Sequence, residues 1–418
     1  MIAKASGKLR MLSNAGLFAA ARLIQIVVIL VATRTMTKDN AGGVLYLLGY
    51  LTLAQSVCSL GLEYYGNYHF PRLKRRGRLN EAWQFLALVL LVAVPLGAVS
   101  TLGLLTYGEI LQDASLGWIM LAVALAIVAS TVRRVSRTVL VASNQRAVAL
   151  LHDTLLFNLA LIAAIVVVRP AAMAQSAALI AAASGVAFVA ALFSVGRTLG
   201  LSPASASLWG GRRKSLATVR RAMPAFIAQS APLILNRADV LLIAPLASVA
   251  DVASYSVAIR LTFAISVFME LEVMLYGPKL LNSTSLDKPG LRKLCRKVML
   301  ESAAVAFAAG LILILFAKPL IVLLFGAEYA DATLIFQVLV LGKMLTAPFL
   351  PIQTIFAAHG QSRSVARILL VGAATSLVLF LFLIPRYGAL GAAIATSATL
   401  VILSIGYVRL LTRMLRPA

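Results

Sequence analysis

Twelve stretches of about 20 nearly unbroken apolar residues constrain this chain more than any other feature. They fall at 12–33, 41–62, 83–105, 115–136, 148–168, 173–196, 222–245, 252–276, 298–316, 332–356, 365–385 and 389–411. A hydrocarbon core about 30 Å thick is crossed by a helix of that length. A backbone inside lipid must bond to itself, so such runs become helices. Composition excludes the soluble alternative: 61% of the 418 residues are hydrophobic and 12% charged, against roughly 45–50% and 25% in soluble domains. The expectation is an all-α integral membrane protein with twelve transmembrane helices. Two runs have indefinite ends, 115–136 stopping at Arg133 and Arg134, and 298–316 continuing into 320–325.

The charges orient these spans. Lys and Arg number 38 against 14 Asp and Glu, a formal charge of +24. In a polar chain that excess would suggest nucleic acid; between apolar spans it follows the positive-inside rule, and no nucleic-acid partner is expected. With the N-terminus inside, most basic residues fall in inner segments, chiefly 72–78, 133–146, 197–221 and 279–297. Outer segments hold only Arg34, Lys38, Arg169, Lys318 and Arg386. An even number of spans then places both termini on the cytoplasmic side. The basic start, leading into a long apolar run without a cleavage pattern, reads as a retained first span. Cys58 and Cys295 suggest neither a disulfide framework nor a metal site.

The linker 197–221, which carries Ser202, Pro203, Ser205, Ser207, Gly210 and Gly211, divides the spans six and six, giving lobes at 1–210 and 211–418. A short motif repeats across them. Glu63 precedes Pro71-Arg72-Leu73 at the spacing by which Glu270 precedes Pro278-Lys279-Leu280, as an internal duplication would produce.

Soluble-enzyme signatures are missing: there is no Walker A sequence, GxSxG elbow, HExxH or paired CxxC, and no outer loop is long enough for a catalytic domain. No catalytic residue, metal site or organic cofactor is expected. His152-Asp153 is either a proton relay or a satisfied polar pair near a helix end. The informative residues are ions within spans, each costing roughly 2.5–3.5 kcal/mol at a helix centre and usually facing a cavity or a partner. They are Arg22, Arg237, Asp239, Arg260, Glu270, Glu272 and Lys343. Arg237 and Asp239 are two apart and point to nearly opposite sides of one helix. Asp239 and Arg260 lie at matching depth on adjacent helices and form the expected ion pair. Arg22, Arg237 and Lys343 then read as cations turned toward a cavity that holds an anion, or as snorkelling side chains. Glu270 and Glu272 either bind a coupling proton or sodium ion, as a desolvated carboxylate can, or anchor inner-loop Lys and Arg. Pro224 and Pro232, with Pro348 and Pro351, suit helices that bend during transport or carry static kinks.

Several local patterns resemble a known family. Asn236-Arg237-Ala238-Asp239, followed by Tyr255-Ser256-Val257-Ala258, matches its span 7–8 pattern, although Ala253 stands where the family has glycine. Lys318-Pro319-Leu320, Leu324-Phe325-Gly326-Ala327-Glu328-Tyr329 and Ala332 are similar to its outer turn before span 10. Ile384-Pro385-Arg386-Tyr387-Gly388-Ala389-Leu390-Gly391-Ala392-Ala393-Ile394-Ala395-Thr396 is similar to its span 11–12 hairpin, and Thr33-Arg34 with Gly43 resembles its end of span 1. These are patterns of the (Wzx-like) oligosaccharide flippases of the polysaccharide transporter family, in the multidrug/oligosaccharidyl-lipid/polysaccharide exporter superfamily. The resemblance is strongest in the last hundred residues.

The resemblance implies two six-helix bundles around a central cavity, working by alternating access. Its implied substrate is an undecaprenyl-diphosphate-linked oligosaccharide, flipped across a bacterial inner membrane for O-antigen, capsule or exopolysaccharide synthesis. Arg22, Arg237, Arg260 and Lys343 would hold the substrate, and Asp239, Glu270 and Glu272 would couple an ion. The expected partners are membrane lipids, a polymerase and other polysaccharide-assembly proteins, with the flippase itself a monomer. Two alternatives stay in view: a superfamily relative moving drugs or the peptidoglycan precursor, and a polytopic glycosyltransferase or polymerase. Cationic spans argue against export of cationic drugs. Peptidoglycan-precursor flippases typically have fourteen spans against the twelve here.

Overall fold

Every described residue of the computed structural model that lies in regular structure is helical, as the apolar runs require. The structure describes residues 23–102, 116–199, 212–266 and 287–415, with Met269, Tyr276 and Leu280. In chain order the helices are α1 (Leu23–Thr35), α2 (Lys38–Cys58), α3 (Leu62–Arg75), α4 (Ala82–Thr101), α5 (Leu116–Ala142), α6 (Arg146–Val168) and α7 (Met173–Leu199). They continue as α8 (Arg212–Leu246), α9 (Val249–Leu261), α10 (Lys288–Leu315), α11 (Ala317–Phe325), α12 (Ala332–Phe356) and α13 (Ser362–Leu415).

Among the described residues nine helices are long and apolar enough to cross a membrane, or ten when the two segments of α8 count as one span. The remaining two runs are accounted for. α1 is the described part of the first. α13, at 54 residues, is two spans merged across Gly388, whose φ of 54° and ψ of −134° only glycine adopts easily. Among the described residues each of the twelve apolar runs therefore carries a helix, and the chain is an all-α integral membrane protein.

Two indefinite ends resolve differently from the sequence reading. α5 runs on past Arg133 and Arg134 to Ala142, so the basic residues assigned to an inner loop lie on a helix. The run at 298–316 ends with α10 at Leu315, and residues 320–325 belong to the separate α11.

The chain divides into two compact units, Met1–Gln229 and Ser230–Ala418, with the division inside α8. Helices in lipid gain little from apolar contact alone, so small residues that admit close packing matter more. In the first unit α5 and α7 pack most extensively, with Ala177, Ala183, Ser184, Ala187 and Ala191 buried on α7. A second cluster joins Leu62, Phe70 and Leu73 of α3 to Trp83, Phe85 and Leu86 of α4 and to Val132, Val135 and Val139 of α5. In the second unit Gly310 of α10 faces Met344, Gly342 of α12 faces Ser397, and Gly372 of α13 faces Leu403. Large apolar side chains such as Leu91, Phe193, Phe307 and Leu323 are left exposed, which suits a surface in lipid and not one in water.

Helix ends are set by local chemistry. Thr37 accepts a bond from the Asn40 N–H to start α2, Ser248 accepts from Asp251 to start α9, and Asp287 accepts from Gly290 to start α10. Ser248 Oγ also donates to the Asp251 carboxylate at 2.7 Å, closing a reciprocal cap.

Candidate functional site

In the second unit, α8, α9 and α13 bring together a buried acid and its donors. Asp239, on α8, is 1% exposed. Its Oδ2 accepts from the Tyr255 hydroxyl of α9 at 2.6 Å, and its Oδ1 accepts from the Val240 N–H at 2.7 Å. The Tyr255 hydroxyl also lies 3.2 Å from Thr396 Oγ1 on α13. A carboxylate out of water is tolerable only with such donors around it. The expected Asp239–Arg260 pair is not what forms: Asp239 meets Tyr255 instead, and the cation whose field reaches it is Arg237. Equal depth on neighbouring helices did not mean equal azimuth.

Arg260 and Lys343 do come together, through an aromatic ring. The Arg260 guanidinium lies 5.2 Å from the centroid of Phe263 and the Lys343 ammonium 5.4 Å from the same centroid. Lys343 Nζ also donates to Ser266 Oγ at 2.9 Å and to the Thr262 carbonyl at 3.4 Å. A ring face attracts cations at this range, so Phe263 steadies both. Arg237 is half-buried on α8. Arg22, Glu270 and Glu272 lie outside the described residues.

Next to the buried acid is a cavity of about 190 Å³, wholly within the second unit. Asn236 of α8, Gln353 of α12 and Thr396, Thr399 and Ser404 of α13 supply polar groups in an otherwise apolar wall. Thr396 serves both places, touching Tyr255 and lining the cavity. The site thus offers one buried carboxylate, a hydroxyl relay toward a cavity, and cations a few residues away on the same helices.

Tyr255 and Thr396 both fall within the family-like patterns, yet nothing in their sequence context marks a role for them. Their alignment with Asp239 appears only when three helices are packed. Tyr255→Phe tests the cluster: loss of the hydroxyl leaves a buried acceptor short of a donor and should lower stability by about 1–3 kcal/mol. A melt of the purified variant in detergent checks this, and an unchanged midpoint would mean that Asp239 does not depend on Tyr255.

A second charged cluster lies in the first unit, assembled from residues far apart in the sequence. Glu63, 4% exposed at the start of α3, accepts from Arg137 at 2.8 Å and Arg134 at 3.4 Å, both on α5. Arg137 also reaches Asp153 of α6 at 3.4 Å, and Arg133 lies 3.9 Å from the same carboxylate. Arg133 donates to the Asp153 carbonyl and packs 4.8 Å from the Phe157 centroid. Asp153 therefore belongs to an ion-pair lattice. The adjacent His152 Nε2 lies 2.6 Å from Ser194 Oγ of α7. The sequence signal was present, since Arg133, Arg134 and Arg137 continue the helical period of α5.

No family model and no curated protein matches the sequence. Solved transporters match the fold. The lipid II flippase MurJ, in an inward closed conformation, superposes with a TM-score of 0.74 at 12% identity, over 96% of this chain and 87% of that one. An inward-facing multidrug resistance MATE family transporter of the MOP superfamily gives 0.67 at 13% identity, over 94% of each chain. The Vibrio cholerae MATE transporter VcmN, in the bent form, gives 0.52 at 17% identity, over 97% of this chain and 98% of its own. At such low identity the likeness speaks for architecture alone: the chain shares the fold of these solved transporters.

Proposed function

We propose that this protein is a flippase for a lipid-linked oligosaccharide, moving undecaprenyl-diphosphate-linked repeat units between the leaflets of a bacterial inner membrane by alternating access, without a catalytic step. The observation that carries the proposal is the meeting of Arg260 and Lys343 at Phe263, with Arg237 on an apolar helix of the same unit. A diphosphate crossing the hydrocarbon needs cations at depth, and Arg holds its oxygens with two parallel bonds. The fold shared with a lipid II flippase supports transport of a lipid-borne head group. In this proposal Arg22 adds a cation, and Asp239, with Glu270 and Glu272, takes up a coupling proton or sodium ion.

That same likeness favours a second reading, in which the substrate is lipid II, the peptidoglycan precursor. The two readings share the polyprenyl diphosphate and differ in the glycan. Arg237→Ala and Lys343→Ala should each cut surface polysaccharide at least about tenfold, one lost charged contact being worth about 1.5–3 kcal/mol, while protein abundance stays unchanged. Normal polymer in both variants overturns the cation assignment. Rescue of cells depleted of MurJ, with no effect on surface polysaccharide, selects the second reading. Vesicle transport indifferent to proton and sodium gradients removes the coupling role from the three acids.

A further inference from the structure

The helix α3 fits none of the spans and has no part in the proposed transport site. Its 14 residues reach about 21 Å, too short for the hydrocarbon core. Its two faces differ sharply. Leu62, Gly66, Phe70 and Leu73, at helical spacing, are buried against α4 and α5. On the opposite side Tyr68, Arg72, Arg75 and Arg76 share one exposed stripe, at i, i+4, i+7 and i+8. Tyr68 is 70% exposed. Lys74 and Arg78 are exposed beside the stripe, and no acid occurs between 72 and 78. Lys74 donates to the Ala142 carbonyl at the end of α5, and Arg78 pairs with Glu81.

The helix is held at its N-terminal end by two contacts. Glu63 is gripped by Arg134 and Arg137 of α5. Gly61, at φ 77°, approaches α8 so closely that a Cβ there would meet the Ala222 carbonyl and the Phe226 N–H at 2.7 Å. Further along, the Tyr65 and His69 rings stack at 5.1 Å, and His69 stacks on Phe85 at 5.8 Å. More basic charge gathers nearby. Burial lowers the pKa of His69, Glu81 opposes that, and the fields of Arg221 and Arg72 reinforce it. Arg220 and Arg221 are themselves exposed.

We propose that the exposed stripe of α3 is a docking site for the head groups of anionic phospholipids, with α3 lying along the membrane surface. The tyrosine ring sits at the boundary where aromatic side chains collect, and the three arginines meet phosphate oxygens. Short clusters of exposed basic residues beside a span attract anionic lipid, each residue adding to the preference. The Glu63 clamp fixes which way the stripe faces.

The test compares two triple variants of the full chain, in nanodiscs of mixed phosphatidylglycerol and phosphatidylcholine. One is Arg72→Gln, Arg75→Gln and Arg76→Gln. The other removes the same charge from the exposed basic start of α10, as Arg292→Gln, Lys293→Gln and Arg296→Gln. Native mass spectrometry counts the lipids retained. The α3 variant should lose the preference for phosphatidylglycerol at least about tenfold while the α10 variant keeps most of it. Equal losses in both, or none in the α3 variant, overturn the proposal. So does displacement of phosphatidylglycerol from the wild type by an equal amount of farnesyl diphosphate, which would assign the stripe to a polyprenyl diphosphate. If the α3 triple variant does not fold, Arg75→Gln alone should weaken retention several-fold, and raised salt should do the same for the wild type.

Discussion

Alanine at Gly391 should cost the protein its fold before it costs any activity. Gly391 lies in the hairpin that joins the two spans of α13, three residues after the break at Gly388. A Cβ at this position would strike the Leu383 backbone, with the carbonyl carbon at 2.6 Å and the Ile384 N–H at 3.1 Å. No side chain can swing aside, because the obstacle is main chain, so the two spans must separate. Asp251 leaves little slack, its carboxylate standing 3.1 Å from where a Cβ on Gly388 would be. Overpacking against a fixed wall costs about 3 kcal/mol at the upper end of its usual range. The measurement is the folded, monodisperse fraction after extraction in detergent. Gly391→Ala should lose most of it. Gly185→Ala on α7, where a Cβ meets nothing within 4 Å, should lose none. Equal yields from the two would contradict the packing of the hairpin.

The second large effect is expected at Glu63. Its carboxylate is the hinge of the lattice that binds α3 to α5, and Arg137 passes the connection on to Asp153 of α6. Removing one partner of a buried ion pair costs 3–5 kcal/mol because the other charge is left behind. Here the arginine side chains remain 26% and 36% exposed, so water takes up part of the loss and about 2–3 kcal/mol is expected for Glu63→Ala. A double-mutant cycle with Arg137→Ala separates pairing from packing. Coupling of at least about 1 kcal/mol between the two, read from melts in detergent, is the expected result. Strictly additive losses would show that Glu63 matters for its place in the helix and not for its charge.

The sequence disclosed the spans because each is long and almost purely apolar, a signal that packing details cannot mask. It disclosed the ions within spans for the same reason, since a charge in such a run has few innocent explanations. Depth along a helix could be counted, but direction around it could not, and so Asp239 was matched with Arg260 and not with Tyr255. An apolar count ends where arginines begin, and so it places the basic group at 133–137 in a loop. The helix itself ends nine residues after Arg133, at Ala142. α3 is invisible to an apolar count because its apolar residues form a narrow stripe among tyrosines and basic residues. An average over its length is polar, and only its two-faced spacing marks it as structure.

One turn of α6 has a consequence for how this chain can change over time. Residues Leu151–Leu156 form a π-helix, with one more residue in the turn than an α-helix would hold. Each residue advances an α-helix by about 100°, so the extra one resets the rotational phase of everything after it. Phe157, Leu161 and Ile165 succeed one another every four residues, a stripe that would drift around a regular helix starting from Ala149. The wide turn cancels the drift and returns that stripe to the protein side. A one-residue deletion within 151–156 would therefore not act locally. It would rotate the half of α6 that follows by about a quarter turn and present its packing stripe to lipid. Substitutions can accumulate along this helix one at a time, whereas its length within that turn is fixed.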